Sequence, residues 1–362
     1  MQRVAFLDGA RGWACAVVVV VHSLFYGHGR EFNNQFWFQV LVANNNGAAA
    51  VQMFWAISGF SLACATSEQR VVASGLARLP RLFLPILAAV LIFCVADARN
   101  EDAARAALRF ATRPLLAWNE MFEERAMDRD PALSANFMQL WTIRAEVQGS
   151  YMVYLITFFL HRTRAPRTLL ALATACAARA STALALFAVG VAARTAHAEV
   201  FPHHANKLAI GAVAPCALAL HLCVNALVAR GWHLPVGGDW LVLARAAGLL
   251  SAMSCSARVR RFMESPASLF LGRHSYPVYL CHMLFVQQLR PAEGISHPLA
   301  FLCVVVACSY ALSIALMARV DAASVAASKK FASYFAPDDS DADEGARELL
   351  IEKGEGASPG GA

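Results

Sequence analysis

Nine stretches of this sequence are apolar for long enough to cross a lipid bilayer as helix, and no soluble architecture accommodates so many. A hydrocarbon core about 30 Å thick needs about 20 helical residues. The candidate spans are 4–26, 47–65, 80–97, 137–160, 168–194, 207–229, 240–256, 270–289 and 299–320. Lipid offers no partner for backbone N–H and C=O groups, so such runs satisfy their own backbone as helices. Composition agrees, with 58% hydrophobic and 15% charged residues and a mean hydropathy of +0.47. A soluble domain carries about 45–50% apolar and about 25% charged residues. The fold class expected is all-α, a polytopic transmembrane helical bundle of nine or ten spans. It occupies residues 1–328, and a polar, Gly-rich, acidic tail over 329–362 is too poor in apolar residues to bury a core. The ten cysteines lie in apolar runs and none forms a C-x-x-C pair, so they read as membrane packing.

Charge orients the bundle. Residues 338–362 hold eight acids against Arg347 and Lys353, a net of −6, which leaves +12 on the rest of the chain. The basic residues are mostly arginines at the ends of apolar runs, which speaks for membrane orientation and against nucleic acid. Arg70, Arg78 and Arg81, and then Arg162, Arg164 and Arg167, mark cytosolic loops, and the amino terminus is expected on the same side. Asp8 and Arg11 lie against the first apolar run and no small-residue cleavage site follows, so that run reads as a retained anchor. Arg258, Arg260 and Arg261 also read as cytosolic, which requires an even number of crossings between 168 and 257. The runs there number three. No internal repeat, Gly-rich phosphate loop or N-x-S/T site occurs.

Ionisable groups inside these runs are the informative residues. Each costs roughly 2.5–3.5 kcal/mol at a span centre, and such groups usually mark a pathway or a site. Arg11 and His22 are eleven positions apart, nearly three turns, so they share one face of the first helix about 16 Å apart. A neutral imidazole at that depth is either a hydrogen-bonded packing residue or a general base, and Asp8 and Arg11 on the same helix favour the base. Phe54-Trp55-Ala56-Ile57-Ser58-Gly59-Phe60 reads as a packing face. Arg78 and Arg81, at i and i+3, share a face. Pro80 suits a first helical position, where free N–H groups favour an anion. The pair reads either as a positive-inside anchor or as a clamp for a phosphorylated ligand, since arginine meets phosphate bidentately. Trp141, Arg144 and Glu146 open the fourth run. Glu146 is either an exposed first-turn acid or an inward carboxylate that orients His22 or binds an acceptor hydroxyl.

In this order the clusters resemble the acyltransferase 3 family of polytopic membrane acyltransferases. Leu7-Asp8-Gly9-Ala10-Arg11-Gly12 with His22 is similar to that family's first-helix signature, and Phe54 to Phe60 to its Ser-Gly-Phe segment. Arg78-x-x-Arg81 is similar to its Arg-x-x-Arg element, and Leu140 to Glu146 with Gly149-Ser150 to the version in fungal members. Leu271-Gly272-Arg273-His274-Ser275-Tyr276-Pro277-Val278-Tyr279-Leu280-Cys281-His282 resembles its late Leu-Gly-Arg-x-Ser-Tyr-x-x-Tyr-Leu-x-His helix. The resemblance implies transfer of an acyl group, usually acetyl, from acyl-CoA as co-substrate to a hydroxyl or amine of an acceptor, here expected to be a hydroxyl of a small molecule or sugar, secondary metabolites among them, with no tightly bound cofactor. It implies His22, Glu146 and Arg11 as catalytic residues and Arg78 and Arg81 as donor contacts. Asp8, Ser58, Trp141, Tyr276 and His282 are the substrate-binding or structural positions. The family usually shows ten helices, and the alanine-rich stretch 168–206 has no counterpart in its pattern.

Two other readings compete: a transporter using His22, Arg144 and Glu146 as a proton relay, and a non-catalytic family member. His197, His203 and His204 fall in a polar stretch without matching Cys or carboxylate spacing, so they read as a solvated loop and no metal site is expected.

Overall fold

The computed structural model describes residues 4–32, 47–65, 71–96, 138–199, 215–224, 239–289 and 297–335. Every regular element among them is helical: α1 (Ala5–Phe32), α2 (Gly47–Ala65), α3 (Val71–Ala96), α4 (Trp141–Leu160, entered through a 3₁₀ turn at Met138–Leu140), α5 (Pro166–Ala180), α6 (Thr182–Glu199), α7 (Pro215–Val224), α8 (Asp239–Cys255), α9 (Ala257–Met263), α10 (Pro266–Gln288), α11 (Pro298–Leu312) and α12 (Ala318–Ser333). A π turn at Ser313–Met317 joins α11 to α12.

Four stretches are by themselves long and apolar enough to cross a membrane: Ala5–Phe25, Gly47–Ala65, Val71–Phe93 and Pro298–Ser333. The α8–α9 pair, bent by 91°, is a fifth if counted as one. The runs at 137–160 and 270–289 are helical as expected, yet α4 and α10 fall outside this apolar set. They carry Arg144 and Glu146, and Arg273, His274 and His282, and several of these are turned into the bundle. Helices that supply a polar site lose apolarity for that reason.

Three expectations about boundaries are corrected. The run 168–194 is two helices, because extended backbone at Ser181 (φ −167°, ψ 135°) ends α5 and α6 begins one residue later, packed against it. The third span begins at Val71, nine residues before Pro80, which places Pro80 and Pro85 inside α3. Pro80 is therefore not at a helix start, and the argument from free first-turn N–H groups does not apply to it. Interior prolines of this kind are tolerated where neighbouring helices support the chain. At the other end, α12 continues through Ser333, past the expected tail boundary at Lys329. Residues 336–362, with most of the acidic tail, lie outside the described residues, as do His203 and His204.

Packing follows small residues. α1 lies along α10, α2 along α6 and α3 along α12. Asp8 and Gly9 meet Gly272, Cys15 Sγ reaches the Ser275 carbonyl at 3.2 Å and His22 meets His282, so α1 and α10 run parallel. A Cβ at Gly12 would collide with the backbone of Leu271 and Gly272, and one at Gly272 with the carbonyl of Asp8. Only glycine lets two helix backbones touch in this way. Gly59 of α2 and Gly190 of α6 make the second such contact, against Phe187 and Ala56. Between these seams Ile57, Phe60, Ile86, Phe93, Phe187 and Phe301 are completely buried.

Candidate functional site

A cavity of about 700 Å³ lies between α1, α2, α3, α4, α10 and α12. That size falls within the range of small-molecule pockets. Its wall gathers residues that are far apart in sequence: Asp8 and Arg11, Ser58, Arg78 and Arg81, Thr142 and Glu146, Arg273, Tyr276 and Tyr279, and Asp321. The motif residues singled out in the sequence from the first, second, third, fourth and tenth helices thus converge on one space.

The charges come in pairs. Arg11 Nη1 lies 3.7 Å from Asp8 one turn earlier. Arg78 donates to Glu146 through Nη2 and to the Ser150 hydroxyl through Nε at 3.1 Å, and Ser150 in turn donates to the Glu146 carbonyl at 2.6 Å. Arg81 donates to both carboxylate oxygens of Asp321 and, at 2.9 Å, to the Ser324 hydroxyl. Its guanidinium also sits 5.8 Å from the centre of the Tyr276 ring, whose hydroxyl donates to the Leu82 carbonyl at 3.3 Å. Pairing is what an ion needs away from water, where an uncompensated charge is strongly unfavourable. Arg273 makes no ion pair among the described residues.

Behind this charged space the bundle changes character. Tyr279 lines the cavity, and its hydroxyl lies 3.0 Å from the Gln139 carbonyl and 2.9 Å from the Thr142 hydroxyl. Gln139 fastens the 3₁₀ turn to α10 by donating its amide to the Leu280 carbonyl at 2.9 Å. One turn beyond Tyr279 stands His282, fully buried, with its ring 5.9 Å from the tyrosine ring. His282 Nδ1 lies 2.8 Å from the Tyr279 carbonyl and 3.3 Å from that of Val278. Its Nε2 lies 2.8 Å from His22 Nδ1, and the two imidazoles are near-parallel with centres 5.1 Å apart.

The expected site residues therefore fall into two groups. Asp8, Arg11, Ser58, Arg78, Arg81, Glu146 and Tyr276 share the cavity, whereas His22 and His282 pair with each other and are not in its wall. Glu146 faces inward, which settles its orientation, but it holds Arg78. The partner expected of it at His22 is His282 instead. Trp141 begins α4 half-exposed and packs edge-on to Trp55 at 5.7 Å. His197 belongs to the last turn of α6, not to a loop, with its ring 6.0 Å from that of Phe60.

The sequence reading passed over Asp321, one residue past the last apolar run. It also passed over Arg245, which is buried in α8 and donates to Gln52 of α2. An arginine within an apolar run was a visible signal for Arg245.

The architecture is that of an integral-membrane helical protein with a charged, ligand-sized cavity among its helices. The chain belongs to the acyltransferase 3 family: the model of that acyltransferase domain matches residues 4–318 and so covers nearly the whole bundle. No curated protein sequence and no solved structure matches it. The match ends at residue 318, three residues before the Asp321 that pairs with Arg81.

Proposed function

We propose that the protein is an integral-membrane O-acyltransferase that moves an acyl group, acetyl in the simplest case, from acyl-CoA to a hydroxyl of a small molecule or sugar. The observation that supports this most is the convergence of Arg11, Arg78 and Arg81, from two distant parts of the sequence, on one cavity of ligand size in a chain of an acyltransferase family. Guanidinium groups match the phosphates of the donor bidentately. Donor phosphates exchange for the carboxylates of Glu146 and Asp321 on Arg78 and Arg81, and the pantetheine arm carries the thioester past Tyr279 toward His22.

In the reaction His22 accepts the acceptor hydroxyl proton as that oxygen attacks the thioester carbonyl. The C–O bond forms, the C–S bond breaks, and the departing thiolate takes the proton back from the imidazolium. General-base assistance of this kind contributes roughly 10²–10⁴-fold. Transient acylation of His22 is the covalent variant of the same chemistry. The amino terminus and the arginine-lined mouth face the cytosol in this reading.

Membranes containing the protein, incubated with labelled acetyl-CoA and a panel of hydroxylated acceptors, test the proposal. Acceptor labelling and CoA release that vanish in His22→Ala at equal expression are expected. Thioester turnover that persists in that variant removes His22 from the chemistry. A proton flux without CoA release favours the transporter reading.

A further inference from the structure

A neutral imidazole has one N–H donor and one bare acceptor nitrogen, so a chain of two rings ending on a carbonyl has only one consistent proton order. A carbonyl oxygen accepts and never donates. His282 Nδ1, 2.8 Å from the Tyr279 carbonyl, therefore carries that ring's proton, and His282 Nε2 is the acceptor. His22 Nδ1, 2.8 Å from that nitrogen, must then be the donor. We propose that His282 is a positioning residue that holds His22 protonated at Nδ1 and so makes His22 Nε2 the nitrogen that takes the acceptor hydroxyl's proton. This role rests on His22 being the base in the reaction above.

The elements around the pair are suited to holding it. His282 is completely buried on α10, and the Tyr279 that supplies its carbonyl is itself tethered through its hydroxyl to Gln139 and Thr142. The order of protons is thus set from the backbone of α10 outward to α1. When Nε2 gains the hydroxyl proton, His22 becomes an imidazolium, and its Nδ1–H bond to His282 becomes charge-assisted and stronger. The positive charge is then shared with a second ring that ends on a carbonyl. A base oriented by a third group is the recurring logic of such sites, and here the third group is an imidazole in place of a carboxylate. An ion pair would have required a permanent charge at this depth, which lipid makes costly.

Two substitutions and one spectroscopic measurement test this. His282→Phe keeps a ring of similar bulk and removes the acceptor, whereas His282→Gln returns an acceptor oxygen near the position of Nε2. His282→Phe is expected to lower kcat by roughly 10–100-fold, the scale of loss seen when the group orienting a metal-bound imidazole is removed. The KM for the donor should stay within about twofold, since no donor arginine touches His282, and His282→Gln should recover much of the rate. Full-length protein labelled with ¹⁵N-histidine in lipid provides the second readout. The resonances missing from His22→Gln identify His22, and they should report protonation at Nδ1 in the parent and a shift toward Nε2 in His282→Phe. Parental kcat in His282→Phe, equal losses in the Phe and Gln variants at equal yield, or a parent His22 protonated at Nε2 would each overturn the proposal. Turnover that survives His22→Gln would instead overturn the base assignment, with the tautomer measurement still standing by itself.

Discussion

The mouth of the cavity and the region behind Tyr279 are built on opposite electrostatic principles. The mouth holds Arg11, Arg78, Arg81 and Arg273 with Asp8, Glu146 and Asp321, drawn from five helices. Behind Tyr279, the imidazoles of His22 on α1 and His282 on α10 are joined by a hydrogen bond, and His282 is anchored in turn on the Tyr279 carbonyl. Paired ions of this sort are exchangeable, because an incoming anion can replace a carboxylate without leaving a guanidinium alone. Coupled neutral rings exchange only a proton. In the proposed reaction, which grips a phosphorylated donor and moves one proton, the two tasks would fall to these two separate regions.

Substitutions at each end should break this division in order of size. Gly12→Leu is expected to have the largest effect, since a side chain there meets the backbone of Leu271 and Gly272 and forces α1 off α10. Both regions should be lost together, read as aggregated protein on size-exclusion in detergent; a monodisperse, active variant would show that the two helices separate freely. His22→Gln should come next, lowering kcat by roughly 10²–10⁴-fold with little change in donor KM. Third, Arg78→Ala should raise donor KM by about 10–100-fold, the equivalent of one charge-assisted hydrogen bond of roughly 1.5–3 kcal/mol, while kcat at saturation changes less. An unchanged donor KM would reduce Arg78 to a strut for Glu146. The smallest effect is expected at Asp321. Asp321→Asn removes the carboxylate that occupies Arg81 and should lower donor KM by about two- to fivefold, the range of a partly exposed ion pair. A raised donor KM would mean that Asp321 holds Arg81 in place for the donor and does not compete with it.

The helical character, the order of the motifs and the arginines of the mouth were legible in the sequence because each rests on local pattern: apolar length, i to i+3 spacing, charge at a span end. The face presented by Glu146 was not. Its helix begins five residues earlier, and which way that face turns depends on where α3 places Arg78. The pairing of His22 with His282 spans 260 positions, and that of Arg81 with Asp321 spans 240, so neither leaves a trace in local spacing. The break at Ser181 was hidden for a different reason. An alanine-rich run has no strong apolar period to interrupt, and a single serine is a weak stop signal.

The contact between Gly12 and Gly272 has a metrical consequence. His22 and His282 each lie ten residues beyond that point on parallel helices. Equal arms of about 15 Å, measured from one pinned crossing, bring the two rings level. One residue inserted into either arm would swing its ring by about 100° and lift it by about 1.5 Å, whereas one inserted into both would keep the rings level but turn each about 100° off the seam, to opposite sides.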